Sequence, residues 1–555
     1  MLYLATVVAF AGFLRLMAVG LRGEYLGFDE SMFIVLGRNL FEGRGYRLNG
    51  LPNATFPFGL PLLAGAFYRL TGQARWALNL PTAIFGALGV IPVYIIARDL
   101  WDRLTGLSAA ILYAGLPALL FLVPFVPYGE RLYAGTETVF SFFILSAAAV
   151  FVRLTRRPTI SAGLALGFFS GISFQVRQDA LGYFAVFLVC AWARASLRAG
   201  RLFHRRAVSA AAAACLVFAV LAAPFLFWVR HVTGRWSLGP RFATTFRMRG
   251  ALEAVVQEGR WGEALEAYFS TNEDNSQLES PYYGVGDYHR RRFAAGDYDL
   301  SARAVLRGLE PANLARAWRL VWRRLMPPGA WVLILVGVAS AVFERRWRAL
   351  VFLAAVALPN AFVAMVLYVL ARFYLVFALG LFFFGARGVD LCARGAVRLL
   401  PGGWRRPRAA AFVYAVLPLS IALVFATATI QRARLLSNRY DNFERHLESQ
   451  LGQFMPVFRE KAPPGARVVA FSPVIAARAD VTWLALPAES PADIVEYARN
   501  RRAGLIVLRE IDGYWRGYGV DDFVRILGEE SALVDDIFAD ARWAVFDLSA
   551  GKAGQ

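Results

Sequence analysis

The sequence predicts an α-helical polytopic membrane protein, with about eleven transmembrane helices and a small C-terminal α/β domain. The chain of 555 residues is 58% hydrophobic, which is too apolar for an ordinary soluble multidomain protein. Its apolar residues form runs of roughly 20, the length a helix needs to cross a hydrocarbon core of about 30 Å. The net charge of +20 comes from arginines clustered between these runs. Such clusters are typical of membrane topology and argue against a nucleic-acid partner.

Eleven apolar runs are candidate spans. The first is interpreted as a retained helix, because no Lys or Arg precedes it as in a signal peptide. Several runs are short or contain proline. The predicted spans are 2–20, 79–97, 106–125, 136–152, 160–176, 180–196, 208–229, 329–343, 349–369, 373–390 and 409–430.

Arginine is distributed unevenly between the two sides of these spans. Five short loops on one side carry nineteen arginines, and three short loops on the other side carry three. Arginine-rich loops stay in the cytoplasm, so the amino terminus is predicted inside and the carboxyl terminus outside. Residues 1–430 then form a membrane domain with outer loops 21–78 and 231–328, and residues 431–555 form an extracytoplasmic domain.

The outer segments have recognisable patterns of their own. Segment 21–78 contains two short amphipathic helices, SMFIVLGRNLFEG and FPFGLPLLAGAFYRL, which are too short to cross and are expected along the outer interface. In segment 431–555, strands are predicted at 467–472, 504–509 and 543–548. Helices are predicted for PADIVEYARN and VDDFVRILGEE, each with an acidic first turn. No GxGxxG motif is present, so no nucleotide is assigned to this domain.

Two adjacent carboxylates, Asp29 and Glu30, follow the first span in GFDESMF. On an outer loop they would face a lipid-borne substrate. One of them could act as a general base on an acceptor hydroxyl or ligate a divalent cation. The structural alternative is that they are first-turn acids of the next helix, which Ser31 helps to cap.

A third carboxylate, Glu137, begins an apolar run, where a charge is costly without a partner. It could bind a polar substrate or interact with the dipole at the start of its helix. Arg177 and Arg372 lie at the outer membrane boundary, where a guanidinium suits a phosphate. They could instead be interfacial anchors, and Arg177 could pair with Asp179. Arg15, in the outer half of the first span, allows the same two interpretations.

No pattern assigns a metal. The outer loop contains His231 and His289, which are far apart and are interpreted as solvated loop residues. The sequence has no Walker A, GxSxG or HExxH motif. A divalent ion bound by Glu30 or its neighbour therefore remains one option among others.

Several segments, taken in order, resemble bacterial GT-C glycosyltransferases of the protein O-mannosyltransferase-like and aminoarabinose-transferase-like superfamily. GFDESMFIVLGRNLFEGRGY and FPFGLPLLAG are similar to its "DE…A…L..G.GY…PPL.P" region, with Phe58 where the family often has a second proline. The other similar segments are TETVFSFF, GLALGFFSGISFQVRQDALGYF and ARFYLVFALGLFFFGARG.

The resemblance implies inverting transfer of a hexosyl or pentosyl unit from a polyprenyl phosphate. The acceptor would be an envelope lipid, glycan or protein on the outer face of the bacterial inner membrane. Asp29 would then be the base or acceptor orienter, and Glu30 would support it or help to hold a metal. Arg177 and Arg372 would offset charge on the departing lipid phosphate.

Two other classes fit a polytopic chain with arginines at its rim. A lipid or sugar transporter would show paired halves and polar residues deep in its spans, whereas polar residues here gather at one outer face. A noncatalytic envelope-assembly protein could keep the fold and lose the carboxylates, whereas Asp29 and Glu30 are present here.

Overall fold

The structure is a computed structural model that describes most of the chain. The described residues are 2–21, 28–115, 134–201, 203–237, 309, 311–322, 326, 329–366, 374–399, 412–414, 416–424, 440–487, 490–509, 518–538 and 541–549.

Internal contacts divide the chain into two compact units. The helical unit consists of Met1–Gly23, Asn79–Pro224 and Arg307–Asp441. The α/β unit consists of Glu24–Leu78, Phe225–Leu306 and Asn442–Gln555. The α/β unit thus joins the first outer segment to the C-terminal segment. A domain boundary at residue 430 stays a prediction.

Helices dominate the described residues. In chain order they are α1 (Leu2–Leu21), α2 (Phe28–Phe41), α3 (Gly59–Thr71), α4 (Ala74–Leu88), α5 (Val90–Leu100), α6 (Arg103–Gly115), α7 (Ala134–Leu154), α8 (Ile160–Val176), α9 (Ala180–Ala199), α10 (Arg205–Thr233), α11 (Ala312–Leu320), α12 (Ala330–Phe343), α13 (Trp347–Val366), α14 (Leu375–Leu399), α15 (Tyr440–Lys461), α16 (Val474–Arg478), α17 (Pro491–Asn500) and α18 (Val520–Leu527).

Ten apolar helical segments of the described chain coincide with predicted spans. Six are long and apolar enough to cross a membrane: Ala74–Leu100, Thr136–Leu154, Ala180–Ala199, Arg205–Thr233, Trp347–Met365 and Leu375–Leu399. Four are shorter: Leu2–Met17, Ile160–Val176, Ala330–Phe343 and Phe412–Val424. The remaining predicted span, 106–125, starts in α6 and runs past the described residues. The multi-helix architecture is as predicted, and the count of eleven stays a prediction.

Small residues let neighbouring helices of the helical unit approach closely. Gly163 and Gly167 of α8 face α10, where an added Cβ would lie 2.2 Å from the Ala210 carbonyl oxygen and 2.3 Å from that of Ala214. The spacing of four residues keeps both glycines on one face of α8. Helices in membranes associate through such small-residue contacts, because backbones that come close gain van der Waals packing.

A five-stranded sheet forms the centre of the C-terminal segment. After a short antiparallel pair, β1 (Arg47–Leu48) and β2 (Leu51–Pro52), the strands are β3 (Arg467–Ala470), β4 (Thr482–Ala485), β5 (Leu505–Arg509), β6 (Ala532–Phe538) and β7 (Ala541–Asp547). The order is β4-β3-β5-β7-β6, parallel among the first three and antiparallel at β7.

The three strands predicted in this segment are present as β3, β5 and β7. The helix PADIVEYARN is α17, and VDDFVRIL of the second predicted helix is α18. β4 and β6 were not predicted, and β6 carries two aspartates at its centre that interrupt the apolar pattern of a strand. The placement of this segment outside the cytoplasm stays a prediction.

Candidate active site

Asp29 and Glu30 occupy the first turn of α2. Of the two interpretations, an outer loop or the first turn of the next helix, the structure shows the second, because α2 already begins at Phe28. Carboxylates in a first turn interact favourably with the helix dipole, which explains the early start. Glu30 is only 2% exposed, whereas Asp29 is partly exposed. Asp29 is therefore the more accessible of the two carboxylates.

The helix that carries these carboxylates crosses α3 at a pair of glycines. An added Cβ on Gly37 would lie 2.1 Å from the Pro61 carbonyl oxygen and 2.6 Å from the Gly65 nitrogen. A Cβ on Gly65 would lie 2.6 Å from the Gly37 carbonyl carbon. Both predicted amphipathic helices are present, and they pack backbone to backbone. Gly37 and Gly65 therefore determine how closely α2 and α3 approach each other where they cross.

Arg38 joins the other end of α2 to the C-terminal segment. Its side chain is buried, with 4% exposure. Nη1 donates to the carbonyl oxygens of Ala476 at 2.8 Å and Ala479 at 2.9 Å, and Nη2 donates to that of Val481 at 3.2 Å. α16 and the chain that follows it thus hold α2 through three hydrogen bonds. This contact was not predicted from the sequence, although an arginine that follows a run of apolar residues was a signal.

A second link between the two segments lies in the turn between β1 and β2. Asn49 accepts a hydrogen bond from the Ala485 amide at its Oδ1 (2.8 Å), and its carbonyl oxygen accepts one from Arg501 Nη2 (2.9 Å). Asn49 has a positive φ of 53°, a conformation that asparagine tolerates better than most residues. The first outer segment is therefore a built-in part of the α/β unit.

Aromatic rings cover the start of α3. Phe58 packs against Tyr46 at 4.8 Å and Phe225 at 5.7 Å between ring centroids. The Tyr46 hydroxyl donates to the Phe56 carbonyl oxygen at 2.8 Å, and burial raises its pKa well above the ordinary value. Phe58 stands where the resembled family often has proline, and this ring cluster gives the phenyl side chain a structural role.

Arg177, Glu137 and Asp179 meet in the helical unit. Arg177 follows α8 and forms ion pairs with Glu137 of α7 at 3.2 Å and with Asp179 at 3.1 Å. Its Nε and Nη2 contact the two oxygens of Asp179 in a bidentate arrangement. The guanidinium also lies 5.3 Å from the centroid of the Phe140 ring. The structural alternative considered for Arg177, a pair with Asp179, is therefore present, and Glu137 adds a second partner.

Polar groups continue from this cluster into the spans. Tyr183, one turn into α9, accepts a hydrogen bond from Asn360 Nδ2 of α13 at 2.6 Å. Tyr374, at the start of α14, lies near enough to interact electrostatically with Tyr183. All three side chains are buried. Asn360 was not predicted from the sequence, although an asparagine within an apolar run is costly and signals a polar partner.

The other arginines singled out from the sequence have different outcomes. Arg372 lies outside the described residues. Arg15 is fully buried at 0% exposure, and its guanidinium lies 5.4 Å from the Tyr113 ring centroid. Its Nη1 donates to the Ala11 carbonyl oxygen at 3.1 Å. Arg15 is therefore packed inside the helical unit, and this burial fits neither of its two interpretations, an interfacial anchor or a guanidinium that contacts a phosphate.

A divalent metal was an open option for the carboxylates. Among the described residues, no group of three or more His, Cys, Asp or Glu side chains is arranged to hold a metal ion. Asp29 and Glu30 supply only two carboxylates, and we assign neither of them as a metal ligand.

Comparisons with known proteins agree with this architecture. Residues 56–228 match the family model described as dolichyl-phosphate-mannose-protein mannosyltransferase. The match includes Glu137, Arg177 and Asp179 and begins after Asp29 and Glu30. A sequence search of curated proteins finds no match.

Solved structures of two membrane proteins share the fold. ArnT from Cupriavidus metallidurans bound to undecaprenyl phosphate is 12% identical over 99% of both chains, with a TM-score of 0.55. The same protein in the apo state gives a TM-score of 0.57. The oligosaccharyltransferase AglB from Archaeoglobus fulgidus, in complex with an inhibitory peptide and a dolichol-phosphate, is 13% identical with a TM-score of 0.52, over 94% of this chain and 72% of AglB. The family match and this shared fold confirm the resemblance of the chain to the GT-C glycosyltransferase superfamily.

Proposed function

We propose that the chain is a membrane glycosyltransferase that moves a sugar from a polyprenyl-phosphate donor to an acceptor in the cell envelope. The GT-C fold supports this proposal, as do the lipid phosphates present in the ArnT and AglB structures. The observation that carries it is the acidic first turn of α2, where a partly exposed carboxylate stands beside a buried one. The donor would be a polyprenyl-phosphate-linked hexose or pentose, and the acceptor a lipid, glycan or protein.

In the proposed reaction Asp29 is the general base. The acceptor hydroxyl attacks the anomeric carbon of the donor sugar from the face opposite the lipid phosphate. The new carbon–oxygen bond forms as the bond to the phosphate breaks, and the phosphate departs with the electron pair. The proton of the hydroxyl passes to the Asp29 carboxylate. This displacement inverts the anomeric centre, and base catalysis of this kind contributes about 10²–10⁴ in rate.

Glu30 has a supporting role in this scheme. Its burial leaves little room for direct contact with an acceptor, so it acts by fixing the first turn of α2. The three hydrogen bonds of Arg38 fix the other end of the same helix. Both ends of the helix are held, which keeps the Asp29 side chain in place for proton transfer.

Arg177 and Arg372 are the proposed cations for the departing lipid phosphate. Arg177 already shares its charge with Glu137 and Asp179, so a phosphate would compete with these carboxylates. Asp179 occupies the Nε–Nη2 edge of the guanidinium, so a phosphate would have to displace it to make a bidentate contact, and Glu137 and Asp179 would in this way shape the donor site. The reaction would take place at the outer face of the bacterial inner membrane, as the arginine distribution predicts.

Topology has its own test. A reporter that is active only outside the cytoplasm should be active when fused after residue 555 and inactive when fused near residue 200. The opposite result at either position would contradict the proposed orientation.

The functional test compares cells that carry the wild-type chain, Asp29→Asn or Asp480→Asn. Asp480 is a matched control, since its side chain is 59% exposed and pairs only loosely with Arg44 at 3.4 Å. We expect mass analysis of envelope lipids and glycans to lose one glycosylated species in the Asp29→Asn strain alone, with unchanged protein level. An identical envelope in all three strains contradicts the proposal.

A further inference from the structure

We propose that the chain binds an anionic phospholipid through four arginines and an adjoining apolar groove. The basic cluster consists of Arg156, Arg194, Arg198 and Arg348. It lies at the end of the helical unit that the arginine distribution predicts to be cytoplasmic. This inference is independent of the proposed transferase activity.

The four arginines converge on the carboxyl-terminal end of α7. Arg348 Nη2 donates to the Val152 carbonyl oxygen at 3.2 Å. Arg198 Nη1 donates to the carbonyl oxygens of Thr155 at 2.9 Å and Arg156 at 3.1 Å. These contacts provide hydrogen-bond donors for the free carbonyl groups at the end of α7. They also place positive charge near the partial negative charge of that helix end. They supply no formal negative charge, so the positive charges remain uncompensated.

Nearby carboxylate charge is scarce. Asp99 is the acidic group that attracts Arg348, while Arg156, Arg198 and Arg194 repel it. Arg156 donates a hydrogen bond to the backbone oxygen of Asp99 and not to its carboxylate. That carboxylate is paired with Arg98 at 2.8 Å and Arg153 at 3.4 Å. Within the described part of the chain, the basic cluster has no carboxylate of its own.

Two donors of the cluster also have no hydrogen-bond partner. The Nε atoms of Arg194 and Arg348 are buried, and no described group accepts from either. A buried donor attached to a charged group is costly to leave unsatisfied. The oxygens of a bound phosphate would satisfy such donors and offset the mutual repulsion of the guanidinium groups.

An apolar groove runs into the basic cluster. It is a shallow groove that opens to the surface between the ends of α7, α9 and α10. Its lining includes Leu154, Pro158, Leu188, Ala191, Trp192 and Ala207, and none of its lining residues is charged. Arg194 and Arg198 follow Ala191 by three and seven positions on α9, so they continue the same face of the helix. On α9 the apolar lining of the groove is thus followed within two helical turns by cationic side chains.

This combination fits a phospholipid better than a free phosphate. The acyl chain would lie in the groove while the phosphodiester contacts the arginines, and basic pockets between membrane helices bind acidic lipid head groups in this way. The cluster is also separate from the group around Arg177. Arg194 lies fifteen positions from Asp179 along a continuous helix, which is roughly 20 Å. The two sites therefore belong to opposite ends of α9.

The test uses the purified full-length chain and native mass spectrometry in detergent. Phosphatidylglycerol and phosphatidylcholine with identical acyl chains are offered in equal amounts, and inorganic phosphate is offered separately. Each arginine near an anionic lipid adds roughly a fivefold preference, so two of them add roughly thirtyfold. We expect the wild-type chain to retain phosphatidylglycerol preferentially. Arg194→Gln combined with Arg348→Gln should lose most of that preference, and the exposed control Arg206→Gln should keep it.

A second variant tests the groove, and it keeps the test decisive if the double arginine variant fails to fold. Ala211→Phe fills the groove and leaves all four charges in place, so it should shorten retention of phosphatidylglycerol. Equal retention of the two lipids by the wild-type chain would overturn the proposal. So would unchanged selectivity after the double substitution, or retention of inorganic phosphate equal to that of the lipid.

Discussion

Arg38 in the α/β unit and Arg177 in the helical unit differ in what they contact. Arg38 is 4% exposed and donates only to neutral carbonyl oxygens. The Arg177 side chain is 16% exposed and contacts two carboxylates. The first arrangement ties one segment of backbone to another. The second gathers charges at the boundary of the spans, where a charged ligand can exchange with them. We therefore propose a positioning role for Arg38 and a donor-binding role for Arg177.

The largest expected effect on stability follows from removing the Arg38 guanidinium. Arg38→Met keeps much of the side-chain volume but deprives three carbonyl oxygens of their donor, which should cost about 3 kcal/mol of folding free energy. Thermal unfolding of the purified protein measures this loss. Arg44→Met is the matched control, because Arg44 is 40% exposed and its ion pairs should contribute less than about 1 kcal/mol. Equal melting temperatures for the two variants would contradict the positioning role of Arg38.

The next largest effect concerns the contribution of Arg177 to the affinity for the lipid-linked donor. Arg177→Ala removes the proposed hydrogen bonds to the donor phosphate. Such bonds to a charged group are worth about 1.5–3 kcal/mol, so donor affinity should fall roughly ten- to a hundredfold. Arg177→Lys should recover only part of this, since lysine lacks the planar fork. The measurement is the KM for the lipid-linked donor alongside the amount of folded protein. A parallel loss of folded protein and activity, with KM unchanged, would make Arg177 structural like Arg38.

A third substitution tests whether the helix crossing matters for the α/β unit. Gly65→Ala places a methyl group 2.6 Å from the Gly37 carbonyl carbon and should destabilise the protein by about 1–3 kcal/mol. Gly452→Ala in α15 meets no atom within 4 Å and should be neutral or slightly stabilising. Thermal unfolding distinguishes them. The account of the crossing is wrong if Gly65→Ala melts at or above the wild-type temperature.

The smallest effect is a pH dependence at Glu344, in the turn between α12 and α13. Burial acts to raise its pKa, but hydrogen bonds from Ser340, Arg387 and Arg346 outweigh this and lower the pKa from 4.5 to about 2. The folded protein thus binds fewer protons here than the unfolded chain. The contribution of Glu344 is present above pH 4.5 and is lost as the pH falls towards 2.

Melting temperatures between pH 6 and pH 3 check this prediction. The wild-type protein should lose stability more steeply than Glu344→Gln over this range. The difference should be small, because one third of the Glu344 side chain is exposed to solvent. Parallel curves of melting temperature against pH for the two proteins would show that Glu344 does not contribute to the pH dependence of stability.

Local patterns in the sequence predicted much of this fold. The apolar runs predicted ten helical segments that the structure describes, and short strand-like runs of apolar residues predicted β3, β5 and β7. β6 was missed because Asp535 and Asp536 interrupt the apolar pattern of a strand. The start of α2 was placed too late, because the acidic pair was read as loop although it stabilises a first helical turn.

The candidate site was harder to predict because its contacts join distant parts of the chain. Arg38 and Ala476 are 438 positions apart, and no local pattern indicates that they meet. The pair of Arg177 with Asp179 was considered because only one residue separates them. The contact of Arg177 with Glu137 spans 40 positions and depends on the packing of α7 against α8. Long-range polar contacts of this kind require the fold to be known.

The central claim is that this chain transfers sugar from a polyprenyl phosphate with Asp29 as the base. The most direct measurement is release of free polyprenyl phosphate from a labelled polyprenyl-phosphate sugar by the purified protein, in the presence of envelope extract as acceptor. The account predicts steady release by the wild-type protein and by Glu42→Gln, an exposed control just after α2. Release should fall by about 10²–10⁴ in Asp29→Asn at equal protein level. Release by Asp29→Asn at the wild-type rate would contradict the assignment of Asp29, and no release by the folded wild-type protein from any donor offered would contradict the transferase itself.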